Sequence, residues 1–94
     1  MTDAVTVLLP GVLRGEAQGQ SRLTVPAAGS LRAVLDALAA DWPRLERRLR
    51  DERGDLRRYV NIYVDGDDCR RSGGLDTPVA AGAEIQVLPS VAGG

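Results

Sequence analysis

The chain has 94 residues, 44% of them hydrophobic, and its twelve basic residues, all Arg, and thirteen acidic ones leave a net charge of −1. That length allows one domain with one modest core, and the near-balanced charge gives no global argument for nucleic acid or an acidic membrane. There is no His and no Lys, which excludes Ser-His and Cys-His nucleophile pairs, histidine metal sites, Schiff-base chemistry and a P-loop lysine. No apolar run resembles a signal peptide or a membrane span, and the single Cys69 cannot form an internal disulfide. The expectation is a soluble cytoplasmic protein, monomeric on its own.

Ala4 to Leu9 reads as a strand stopped by Pro10-Gly11. The polar, glycine-bounded stretch from Gly15 to Gly19 reads as a loop. Ser21 to Val25 alternates and predicts a second strand ending at Pro26, in a hairpin with the first. Ser30 is a good N-cap. After it, Leu31, Val34, Leu35, Leu38 and Trp42 recur at three- and four-residue spacing, which predicts the main helix. Pro43 either ends that run or opens a second short helix as its first residue, with Leu45 and Leu49 continuing the period.

Tyr59 to Val64 is the strongest strand signal, rich in β-branched and aromatic residues. Asp65-Gly66 suits a tight hairpin turn, followed by a short strand through Cys69. Pro78 and Gly82 bracket another turn, and Ile85 to Leu88 predicts the last strand. The order β-β-α-β-β gives an α+β class, a mixed sheet packed on one main helix. Residues 1–89 are read as the domain and residues 90–94 as a flexible tail. The seven arginines between Arg44 and Arg58 are interleaved with Glu46, Asp51, Glu52 and Asp55. They read as a solvated face rather than an RNA surface, since few aromatics interleave for stacking. Cys69 reads as a small buried apolar residue; a persulfide relay is the functional alternative, with no His or Lys to lower its pKa.

The last residues, Val91-Ala92-Gly93-Gly94, carry the functional signal. Glycine has no Cβ, so two in succession can thread a slot too narrow for other residues. A carboxyl on Gly94 would be an anion at neutral pH and a weak electrophile, with a pKa of ~3.3–3.7. Chemistry there needs activation, and the chain holds no group to supply it. On the sheet, Tyr59, Asn61 and Tyr63 share one face and Val60, Ile62 and Val64 the other. Tyr59, Tyr63 and Leu88 are therefore a candidate partner-docking patch.

The order of elements, the run Tyr59 to Asp68, the segment Gly74-Leu75-Asp76-Thr77-Pro78-Val79 and the ending Leu88 to Gly94 together resemble the ubiquitin-like sulfur carriers of the MoaD/ThiS type. Among these the likeness is greatest to the cysteine-biosynthesis carriers of actinobacteria. The resemblance spans essentially the whole chain and implies a β-grasp fold. It departs at Cys69, where such carriers are expected to have Val.

The resemblance also implies a non-enzymatic role. An E1-like enzyme would use ATP to convert the Gly94 carboxylate to an acyl-adenylate, and a sulfur donor would displace AMP to leave a thiocarboxylate. Val91, Ala92 and Gly93 would be recognised in the partner's channel. In the cysteine branch, the sulfur attacks an aminoacrylate held by a PLP-dependent cysteine synthase, and a zinc metalloprotease releases the cysteine. ATP, PLP and zinc thus belong to partners, and the chain itself binds no cofactor or metal. Molybdopterin synthase and thiazole or secondary-metabolite sulfur delivery remain as other destinations. A ubiquitin-like protein modifier or a plain β-grasp interaction module remain as other classes.

Overall fold

The structure is a computed structural model that describes residues 4–26 and 29–89. Its centre is a five-stranded mixed sheet. Strands β1 (Ala4–Leu8) and β2 (Arg22–Pro26) form an antiparallel pair. A two-residue strand, β3 (Gly29–Ser30), leads into helix α1 (Leu31–Asp41), and α2 (Pro43–Leu49) comes next. Strand β4 (Val60–Val64) turns back into the short β5 (Asp67–Asp68). The short β6 (Pro78–Val79) pairs with β3 outside the main sheet. The last strand, β7 (Glu84–Pro89), then enters between β1 and β4, parallel to the first and antiparallel to the second.

Local sequence explains most of these boundaries. The Ser30 hydroxyl accepts from the Ala33 backbone N–H at 3.2 Å, a cap that stabilises a helix by about 1 kcal/mol. Leu31, Val34, Leu35 and Leu38 are buried as the spacing predicts. Each large apolar side chain removed from water contributes roughly 1.5–3 kcal/mol. Trp42 closes α1, and Pro43 starts α2 at a position where its missing N–H costs nothing. Asp65 and Gly66 have φ of 49° and 90°, the left-handed pair that a tight two-residue hairpin turn needs. The Asp65 carboxylate also accepts from the Glu84 N–H at 2.9 Å, which ties that turn to β7.

The core lies between the sheet and the two helices. Val5, Val7, Leu23, Val25, Val60, Ile62, Ile85 and Val87 point from the sheet toward the helices and are buried. Arg50 lies just past α2 and is buried to 8% exposure. Its guanidinium reaches Asp36 of α1 at 2.8 Å and Glu46 of α2 at 2.7 Å. Burial alone would favour the neutral form, but these two carboxylates outweigh it and raise the pKa. The seven-arginine cluster is thus a mixed-charge surface with one member turned inward as a clamp between the helices. The loop beyond is held by Asp51, whose carboxylate accepts from the N–H groups of Asp55 and Arg53 and titrates below the usual range because of them.

Three expectations need correction. The first connection is not a loop from Gly15 to Gly19: Gly11–Ala17 forms a 3₁₀ helix. Leu13 and Ala17 lie on its buried side, a four-residue spacing that Gly11 and Gly15 mask in the sequence. The strand predicted to run through Cys69 stops at Asp68. Its carboxylate accepts from the Arg70 N–H at 2.9 Å and caps a 3₁₀ turn, Cys69–Arg71. Tyr59 stands one residue before β4, in a turn closed by the Val60 N–H donating to the Arg57 carbonyl at 3.1 Å. The tail assigned to residues 90–94 lies outside the described residues.

Candidate functional site

The two faces of the sheet differ in character. Opposite the core face, Thr6, Leu8, Arg22, Thr24, Asn61, Tyr63, Glu84, Gln86 and Leu88 point away from the helices, as strand alternation requires. The register places Gln86 of β7 opposite both Leu8 of β1 and Tyr63 of β4. One step further along, Leu88 stands opposite Asn61, and Pro89 opposite Val60. The chain therefore leaves the described residues from a strand paired with β1 as far as Gln86 and with β4 as far as Pro89.

Tyr59, Tyr63 and Leu88 line two different clefts. Asn61, between the two tyrosines in sequence, accepts a hydrogen bond from Arg70 at 3.1 Å, and the same guanidinium donates to the Arg57 carbonyl at 3.0 Å. Tyr63 lines a polar cleft with Asp67, Asp68 and Arg71. Tyr59 and Leu88 instead line a small apolar cleft of about 180 Å³ at the end of the sheet, together with Val12 of the first 3₁₀ helix. Among the described residues, Val12 and Tyr59 are the large hydrophobic residues most exposed, at 73% and 52%. Sequence reasoning missed Val12 because it read the segment around it without a helix. A second cleft, of about 350 Å³, is lined by Leu8, Pro10, Arg14, Gln86 and Leu88 on the other side of Leu88.

No group of three or more His, Cys, Asp or Glu residues that could hold a metal exists among the described residues. Cys69 is fully buried, and burial pushes its thiol above the ordinary value, with Arg70 opposing only in part. A buried neutral thiol is a poor nucleophile, so the packing role fits and the relay role does not. Gly94, Gly93, Ala92 and Val91, the candidate reactive and recognition residues, lie outside the described residues. No helix of the described residues is long and apolar enough to cross a membrane.

The geometry can be set beside known proteins. The family model described as the ThiS family matches residues 7–94. The chain is 45% identical over 93 residues to the sulfur carrier protein CysO of Mycobacterium tuberculosis, covering 96% of this chain and 98% of that one. The crystal structure of that organism's CysO superposes with a TM-score of 0.86 at 40% identity, covering 93% of this chain and 99% of the other. A crystal structure of the BexX/CysO complex of Amycolatopsis orientalis gives a TM-score of 0.87 at 33% identity, covering 96% and 99%. The chain is also 32% identical over 73 residues to small archaeal modifier protein 1 of Haloferax volcanii, covering 78% of this chain and 79% of that protein.

Proposed function

The chain belongs to the ThiS family, and from that premise we propose that it is a sulfur carrier whose Gly94 carboxyl becomes a thiocarboxylate, serving cysteine biosynthesis. The observation that carries this reading is the 45% identity to CysO across 96% of the chain, with Gly93-Gly94 inside the matched family region. The fold supports it. The central strand β7 delivers the chain to Pro89 beside an apolar cleft.

The chemistry proceeds on partner enzymes. The Gly94 carboxylate attacks the α-phosphorus of ATP on an E1-like enzyme and pyrophosphate leaves. A sulfur nucleophile then attacks the acyl carbon and AMP leaves, so one carboxyl oxygen departs with the phosphate. On a PLP-dependent cysteine synthase the thiocarboxylate sulfur would add to the terminal carbon of an aminoacrylate, the C=C π pair taking up a proton at the α-carbon, and the product's amine would then be freed. The acyl group migrates from sulfur to the adjacent amine, leaving cysteine in amide linkage to Gly94. A zinc metalloprotease hydrolyses that amide, freeing cysteine and restoring the carboxylate. Tethering the sulfur to a carrier raises its local concentration at the acceptor.

The test is the intact mass of the 94-residue chain after incubation with an E1-like enzyme, ATP and sulfide. The expected change is exchange of one oxygen for sulfur. The product is then offered both a PLP cysteine synthase and a molybdopterin synthase large subunit. Extension of the chain by one cysteine supports the cysteine assignment. Sulfur transfer to the pterin precursor alone overturns that assignment and keeps the carrier. An unchanged mass with several E1-like enzymes, each active on its own carrier, overturns the carrier reading.

A further inference from the structure

We propose that the cleft between Val12 and Tyr59 is the anchor site for the adenylating enzyme, receiving one large apolar side chain of that enzyme beside a carboxylate. The assignment rests on the carrier reading above and adds to it the place and chemistry of docking.

Position argues first. Gly94 lies five residues past Pro89, a span of at most ~17 Å when fully extended. An enzyme that holds the Gly94 carbon in its active site must therefore cover the surface around Pro89. Leu88, the preceding residue, is itself a wall of the cleft. The register Val60 to Pro89 puts the β4 end of the cleft beside the point where the chain departs. Docking at this cleft and threading the last five residues are geometrically one event.

Shape and composition argue second. The floor is core: Leu13, Val60 and Val87 line the cleft and are 9%, 3% and 1% exposed. The walls are Val12, Tyr59 and Leu88. A volume of about 180 Å³ is of the size that takes a benzene ring, since a cavity of ~150 Å³ holds one. A leucine or phenylalanine side chain fits that measure. An aliphatic residue left 73% exposed beside a half-exposed tyrosine, over a core floor, has the anatomy of an interface centre rather than scattered surface.

Charge argues third and fixes the partner's chemistry. Arg48 lines this cleft, its side chain 59% exposed and ion-paired through Nε with Glu16 at 3.4 Å, so part of its charge is already met within the chain. Arg14 lines the neighbouring cleft across Leu88, braced by donating to the Leu9 carbonyl at 3.2 Å. These are the charged residues among those lining the two clefts, and both are positive. Two clefts elsewhere mix both signs. A complementary partner carries acidic side chains around its apolar anchor, which sets encounter rate and orientation.

The test measures ATP-dependent activation of the full chain by its E1-like enzyme, with pyrophosphate release as readout. Val12→Glu and Tyr59→Ser each raise the KM for the carrier about tenfold or more, as loss of an interface anchor does, with kcat nearly unchanged. Arg48→Glu raises KM and flattens its dependence on salt. Arg32→Ser, on the helix layer, serves as the control. Val12→Ser stands in if the glutamate variant is poorly folded by circular dichroism. An unaltered KM in both cleft variants, with an active wild type, overturns the cleft assignment alone. An inactive wild type overturns the carrier reading and the cleft with it. A wild type that elutes as a dimer and becomes monomeric with Val12→Glu gives the cleft to a second copy instead.

Discussion

Pro89 stands opposite Val60 in the antiparallel pairing of β7 and β4, which makes the last paired position among the described residues an immediate neighbour of Tyr59. The consequence is a division of labour along the chain. Among the described residues, the buried core ends at Val87 on this strand. Changes before that point act on the fold, and changes beyond Pro89 should act on function alone.

Removing Gly94 should therefore abolish activation and leave the melting temperature unchanged. Gly94→Ala should also impair activation, because the added methyl meets a partner slot shaped for glycine. Intact mass after incubation with the E1-like enzyme, ATP and sulfide reads the first effect, and a thermal melt reads the second. A large loss of stability on deletion would show that Gly94 contributes to the core. Normal activation of Gly94→Ala would remove the steric argument.

Much of this architecture was readable from residue spacing, and the failures share a cause. Helix α1 was legible because Ser30 offers a cap and four leucine or valine positions repeat with the helical period. The Asp65-Gly66 turn was legible because few residues tolerate two successive positive φ values. The first 3₁₀ helix was not, because Gly11 and Gly15 carry a loop signal that outweighs two buried positions, Leu13 and Ala17. Tyr59 was drawn into β4 because tyrosine favours strands, whereas the turn from Arg57 to Val60 is set by a backbone hydrogen bond that leaves no mark in composition. Those two errors hid the same thing: a cleft assembled from Val12, Tyr59 and Leu88, positions far apart in sequence.

Arg50 provides a test of the helix layer. Its guanidinium joins Asp36 and Glu46, and Arg50→Ala strands Glu46, whose side chain is 16% exposed. Hydrogen bonds to charged groups contribute roughly 1.5–3 kcal/mol, so the loss expected is about 2 kcal/mol. Arg32→Ala breaks the Arg32–Asp76 pair, whose side chains are 50% and 80% exposed, and should cost less than ~1 kcal/mol. Urea unfolding of both variants checks the contrast. Equal and small losses would mean that Arg50 is not a clamp.

Cys69 links burial, pH and function in one side chain. Its thiol is fully buried, and burial raises its pKa above the ordinary value, which in an unfolded chain is ~8.5. Below that pH both states keep the proton, and the thiol adds no pH dependence. Above it the unfolded chain ionises while the folded chain resists, so stability falls as pH rises. Cys69→Val lacks the ionisable group and keeps an apolar side chain of similar size, a change that costs less than ~1.5 kcal/mol. The variant should match the wild type near neutrality and gain on it above pH ~8.5, in urea unfolding followed across pH. In the wild type a thiol reagent at neutral pH should react only as fast as the chain opens. Reaction at the rate of a free thiol would refute burial, and loss of sulfur transfer in a well-folded Cys69→Val would restore the relay.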